Sequence, residues 1–156
     1  MNKQALCSFI LLFTGILSAQ NDLKSDELYK NQSPLEIKLG YSNKDLNRNT
    51  DDTTFITTTM SYNHEEKWSD IEVNLRARGN FRRNKCYFPP VKMKIKKDQY
   101  SETLFDGNKT MKLVLPCLIE NENNDNVLQE FIAYKIYEKI SPFHFKTRRV
   151  NIEFTE

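Results

Sequence analysis

The chain has 156 residues, with 23 Lys and Arg set against 21 Asp and Glu for a formal net charge of +2. So even a balance excludes the global positive field that draws in nucleic acid or an anionic membrane, and leaves local clustering as the only source of an anion site. Four glycines supply no phosphate-cradling loop of the P-loop or dinucleotide type, and there is no nucleophile elbow.

Residues 1–19 carry Lys3 as their sole charge, an apolar run over 9–17 and the small pair Ser18 and Ala19. A basic start, a short hydrophobic core and a small-residue cleavage site predict a secretory signal peptide, and with it a secreted or periplasmic product. The apolar run is too short for a bilayer core of about 30 Å and no second one follows, so no membrane span is expected. Removing the leader takes Lys3 from the 23 basic residues and no acid, leaving 22 against 21. Of the cysteines, Cys86 and Cys117 survive, in a compartment where a disulfide persists. Their one possible bridge is the expectation, with two buried free thiols as the alternative. The histidines, His64 and His144, stand far apart in sequence, and no metal site is expected.

Residues 20–33 are polar and aperiodic and read as a flexible lead-in that adds little to a core. Residues 34–156 then read as one β-rich domain. Leu35, Ile37 and Leu39 alternate with Glu36 and Lys38, which predicts a half-buried strand. Residues 44–52, rich in Asn and Asp, read as a loop. Residues 53–62, rich in Thr, Phe, Ile and Tyr, suit a second strand. Ile71, Val73, Leu75 and Ala77 alternate with Glu72, Asn74, Arg76 and Arg78 in the clearest strand pattern of the chain. Gly79 marks either a bulge or the strand's end. Behind Pro89 and Pro90, Val91, Met93 and Ile95 point inward while Lys92, Lys94 and Lys96 point out. Asp106-Gly107 predicts a turn and residues 111–115 a short strand.

The loop over 120–126 is acidic and amide-rich but lacks the ligand spacing of a calcium loop, so it reads as solvated. Asp125 or Asn126 can cap a helix that runs to about Ile140, with Leu128, Phe131, Ile132, Lys135, Ile136 and Ile140 at three-to-four spacing, ended ahead of Pro142. Tyr134, Tyr137, Phe143 and Phe145 read as core and helix-packing groups. A last strand spans about 146–154 with Val150, Ile152 and Phe154 on one face. The whole predicts an α+β fold: a mainly antiparallel sheet of five to six strands, one main helix packed on it and a flexible N-terminal lead-in.

The constellation that carries chemistry is Arg76-Ala77-Arg78-Gly79-Asn80-Phe81-Arg82-Arg83 followed by Lys92, Lys94, Lys96 and Lys97. Strand alternation puts Arg76 and Arg78 on one face and Lys92 and Lys94 on one face, and pairing of the two strands would merge them into one basic surface. Such a surface suits an anionic small molecule or an acidic glycan rather than nucleic acid. The competing reading is a solvated strand face whose lysines blunt an edge.

In order and spacing, the stretches 75–83, 86–92, Leu104-Phe105-Asp106-Gly107, 112–117 and 127–137 resemble a group of secreted bacterial proteins that are in turn similar to the spore-coat CotH-type kinase family. The resemblance covers about residues 75–156. It implies an atypical kinase-like fold, with ATP and Mg as its cofactors by resemblance, in which a β-rich N-terminal part precedes a helix and the ATP-handling region. The family's Arg-Gly-Asn stretch and lysine strand correspond to Arg78, Gly79, Asn80 and the Lys92-to-Lys96 strand. Glu130, on the helix after the lysine strand, would be the partner of a phosphate-binding lysine. The family continues past the point matching Glu156 into its catalytic and metal-binding acids. The domain is therefore expected to be incomplete at its C-terminus and inactive alone as a kinase.

Overall fold

The computed structural model describes residues 27–118 and 124–155, with the side chains of 124 and 125 left aside. The predicted signal peptide, the start of the lead-in and the centre of the 120–126 loop lie outside the described residues. In chain order the elements are α1 (Glu27–Lys30), β1 (Leu35–Leu39), α2 (Asn43–Asn49), β2 (Ile56–His64), β3 (Lys67–Ala77), α3 (Asn80–Lys85), β4 (Val91–Lys94), α4 (Lys97–Tyr100), β5 (Thr110–Leu113), α5 (Asn124–Ile140) and β6 (Val150–Phe154). The fold is α+β.

The strands make one six-stranded sheet in the order β5-β4-β3-β2-β1-β6. The pairs β1/β2, β2/β3, β3/β4 and β4/β5 are antiparallel, and β6 adds to β1 in parallel. A parallel neighbour requires a crossover, and the chain between β5 and β6 supplies it with α5. The sheet curls, so that Phe88, which leads into β4, stacks on Phe154 at the end of β6 with ring centroids 5.4 Å apart. Its inner face is the core: Leu35, Ile37 and Leu39 of β1, Met60 and Tyr62 of β2, Ile71, Val73, Leu75 and Ala77 of β3, Val91 and Met93 of β4 and Leu113 of β5. The period-two alternation seen in the sequence is the cause, because successive side chains of a strand leave on opposite faces.

Several stretches differ from their sequence reading: β6 begins at Val150 rather than about 146, and the short helices α3 and α4 lie where no helix is expected. Residues 44–52 are largely helical: α2 is capped by Ser42, whose hydroxyl accepts from Asp45 N at 3.2 Å, and is pinned by the fully buried Leu46. A single apolar residue gives no periodicity to read, so tertiary burial and the cap set this helix. The lead-in also contributes to the core after all, since α1 buries Leu28. Arg148 holds that turn in place by donating to Leu28 O and Ser33 O, each at 3.0 Å, and burial lowers the pKa of its guanidinium.

Cys86 at the end of α3 and Cys117 beyond β5 form a disulfide with Cα atoms 4.5 Å apart across 31 residues. Tyr87 N and Phe88 N both donate to Cys117 O, so the bridge is sheathed by backbone hydrogen bonds. In the chain-entropy description a loop of this length is worth about 3–4 kcal/mol. Replacing both cysteines by serine is expected to lower the unfolding free energy by about 3 kcal/mol in urea titration, and an unchanged midpoint would show that the bridge is dispensable.

Candidate functional site

The outer face of the curled sheet is polar, and the register decides how its charges meet. Toward β6, the cross-strand neighbours are complementary. Lys38 lies opposite Glu153 and pairs with it at 3.2 Å, and Glu36 accepts from Asn151 at 2.6 Å. Ser61 donates to its partner Asp70 at 2.6 Å, and Thr57 to its partner Asn74 at 2.8 Å. At the other end the pattern changes. Arg76 of β3 is the register partner of Lys92 of β4, and Lys92 is in turn the partner of Lys112 of β5. Three cations thus stand side by side across three strands, where like charges directly opposite destabilise a sheet. Lys94, one step along β4, faces Asn74 and Thr110.

Each cation in and beside this row meets a different neighbour. Arg76 is nearly covered, its side chain 13% exposed, and its Nη1 donates to Asp52 at 2.7 Å. Its Nε is buried without a hydrogen-bond partner. Phe55 lies beneath two cations, Lys94 Nζ at 4.4 Å and the Arg76 guanidinium at 5.8 Å from its centroid. Lys112 sits 5.0 Å over Phe145. Cation–π contact steadies such groups but neutralises none of them. Lys92, in the middle, has no acidic partner among the described residues, and the same holds for Arg78, whose backbone N–H donates to Pro90 O at 2.9 Å.

The loop that delivers Asp52 and Phe55 to the row is organised by Asp51. Its carboxylate accepts from Thr53 N at 2.7 Å, Thr54 N at 2.7 Å and Thr53 Oγ1 at 2.9 Å. These donors hold the Asp51 carboxyl well below the usual carboxylate range. The base of the loop is tied down by Thr50, whose buried hydroxyl donates to Leu46 O at 2.5 Å and accepts from Ala77 N at 3.1 Å. Arg83 adds to this by donating to Asn47 O at 2.7 Å and to Thr50 O, answering carbonyls at the C-terminal end of α2.

The remaining sequence-predicted residues are not gathered here. Gly79, with φ of 78°, lies just past the end of β3 and is the N-cap of α3, which resolves its two readings in favour of a strand end. Asn80 is the first residue of α3 and is exposed. Arg82 is a clasp that donates to Leu115 O at 2.8 Å. Glu130 on α5 lines a cleft of about 160 Å³ with Arg82, Cys117, Asn126 and Val127, and makes no ion pair with Lys92 or Lys94 among the described residues. Lys96, outside the row, pairs with Glu72 at 3.1 Å. Sequence reasoning missed Lys112, Asp52 and Phe55. The alternation of Met111, Leu113 and Leu115 already turned Lys112 outward, but only the β4/β5 register sets it beside Lys92.

Compared with known proteins, the chain matches no family model, no curated protein and no solved structure. The geometry of the basic row therefore carries the functional reading by itself.

Because the folded-state pKa of Asp51 is depressed, its contribution to stability is fully present above the unfolded value of about 4 and is lost as pH falls through the folded value. The 51–55 loop should stay ordered down to and below pH 4 in the native protein and loosen already at neutral pH in Asp51→Ala. Amide hydrogen exchange at Thr53 and Thr54 measures this, and equal protection in the two proteins would contradict it.

Proposed function

We propose that this is an exported binding domain that holds an anionic ligand on the outer face of β3, β4 and β5, with Arg76, Arg78, Lys92, Lys94 and Lys112 as its contacts. One observation carries the reading: the Arg76–Lys92–Lys112 row collects three cations and, among the described residues, a single acid, Asp52, bound to one of them. Toward β6, by contrast, Lys38 pairs with Glu153, and Glu36 accepts from Asn151. A row of like charges costs stability unless an anion lies against it, and a carboxylate or phosphate supplies that anion. Arg78 offers a planar fork suited to such groups, Arg76, already held by Asp52, adds its charge from beneath, and the lysines add mobile point charges. At about 0.15 M salt, charges beyond roughly 8 Å are screened, so close convergence across neighbouring strands is what allows useful affinity. Export rests on the leader, and the Cys86–Cys117 disulfide suits an oxidising compartment. Among the described residues no helix is long and apolar enough to cross a membrane.

The ligand chemistry is shared by an acidic glycan and by a nucleotide phosphate, and the resemblance to CotH-type kinases is the reason to include the second. The test is a thermal-shift titration with an acidic polysaccharide, inorganic phosphate and Mg-ATP in separate arms. A ligand at 100 times its Kd should stabilise the folded state by about 2.7 kcal/mol. The shift should fall with added salt and vanish in Lys92→Glu, while Lys38→Glu, at the charge-balanced end, should keep it. No shift in any arm, or an equal shift in Lys92→Glu, would refute the proposal. Transfer of phosphate from Mg-ATP, lost in Lys92 and Lys94 variants, would replace binding by catalysis.

A further inference from the structure

Helix α5 is turned inside out. Val127, Glu130, Phe131, Tyr134, Lys135 and Glu138 are half-buried and face the body of the domain, where Phe131 lies 5.9 Å from the Arg149 guanidinium. The charges of this inner side are partly spent within it, Lys135 bonding Glu138 at 2.8 Å. The opposite side carries Leu128, Ile132, Ile136 and Ile140 at a strict four-residue spacing, exposed by 46%, 48%, 59% and 72%. Tyr137 and, past the helix end, Phe143 are exposed as well, and Phe143 at 86% is the most exposed of the large apolar side chains among the described residues. The expectation that Tyr134, Tyr137, Phe143 and Phe145 are core and helix-packing groups is therefore corrected in part: none is buried, and Tyr137 and Phe143 are exposed, while Phe145 packs edge-on against Tyr134 of α5 with centroids 6.2 Å apart. A surface helix ordinarily turns its apolar stripe to the core and its charges to water, and this one does the reverse.

Six large apolar side chains left bare in this way present a surface on the order of several hundred Å², at or above the largest patch of a typical monomer. That is close to the about 800 Å² that each partner contributes to a standard interface. We infer that a second copy of this chain covers it, the two α5 helices packing against each other across a two-fold axis. Residues at four-residue spacing form one continuous ridge, and two such ridges interdigitate in the commonest class of helix packing. A two-fold axis between positions 132 and 136 sets Leu128 against the partner's Ile140 and Ile132 against the partner's Ile136. The same operation brings Lys139, the one charge beside the ridge among the described side chains, opposite the partner's Gln129, whose amide oxygen accepts from an ammonium. Among the described side chains no like charges meet, so the face is complementary to itself, as an isologous contact requires.

Sedimentation equilibrium of the purified protein is expected to show a monomer–dimer equilibrium. Ile136→Glu should weaken it at least about a hundredfold, the loss expected when an unpaired charge enters an apolar contact. The protomer should unfold as cooperatively as before, because Ile136 is exposed within it. A second test does not depend on that variant's folding: Ile132→Cys and Ile136→Cys chains, mixed and oxidised, should join to each other in preference to themselves. A monomer at every concentration, self-association indifferent to Ile136→Glu, or cross-links without that preference would each overturn the inference. So would a different exported protein covering α5 while this chain stays monomeric.

Discussion

The burial of one face of β3 is the constraint on which the rest of this structure depends. Ile71, Val73, Leu75 and Ala77 sit at the middle of the sheet's core, between β2 on one side and β4 on the other. Because side chains alternate with period two, sliding this strand by one residue would send all four to water and bring Glu72, Asn74 and Arg76 inside. The hydrophobic term thus fixes the register, and the register fixes the neighbours of every outward side chain. Arg76 opposite Lys92 and Lys92 opposite Lys112 are consequences of packing on the other face of the sheet. The core pins an electrostatically unfavourable row in place, where flexible surface charges would otherwise spread apart.

The basic run after β3 divides between scaffold and surface. Arg82 and Arg83 are turned to backbone carbonyls, one beyond β5 and the others at the end of α2, so they close loops onto the sheet. Arg148 does the same for α1. These are the five-donor forks of arginine used as clasps, a role that lysine fills poorly. Arg76 belongs to both groups: it fastens the 51–55 loop through Asp52 and heads the cationic row. The loop it fastens brings Phe55 under Lys94, which orders that lysine without cancelling its charge.

Strands were legible in the sequence where alternation was strong, and the pairs Arg76 with Arg78 and Lys92 with Lys94 could be assigned to an outer face from it. Helix α2 was not legible, because its only buried apolar residue is Leu46 and its stability comes from a cap, a clasp and the surrounding fold. Lys112 was outward by alternation, yet its place in the row depends on a long-range register that no local pattern encodes. Helix α5 shows the same limit in another form. The spacing of Leu128, Ile132, Ile136 and Ile140 reveals an apolar stripe, but periodicity does not say whether the stripe meets the sheet of its own chain. Here it does not.

Two surfaces follow, a cationic row on the sheet and an aliphatic ridge on α5, and the first carries the functional account. The most direct measurement is a heteronuclear NMR titration that follows lysine Nζ and arginine Nε signals while an acidic polysaccharide or Mg-ATP is added. The account predicts that Arg76, Arg78, Lys92, Lys94 and Lys112 shift together with one binding constant while Lys38 stays still. Shifts centred on Lys135, Lys139 and Arg149, beside α5, or a uniform drift of all the cations, would contradict it.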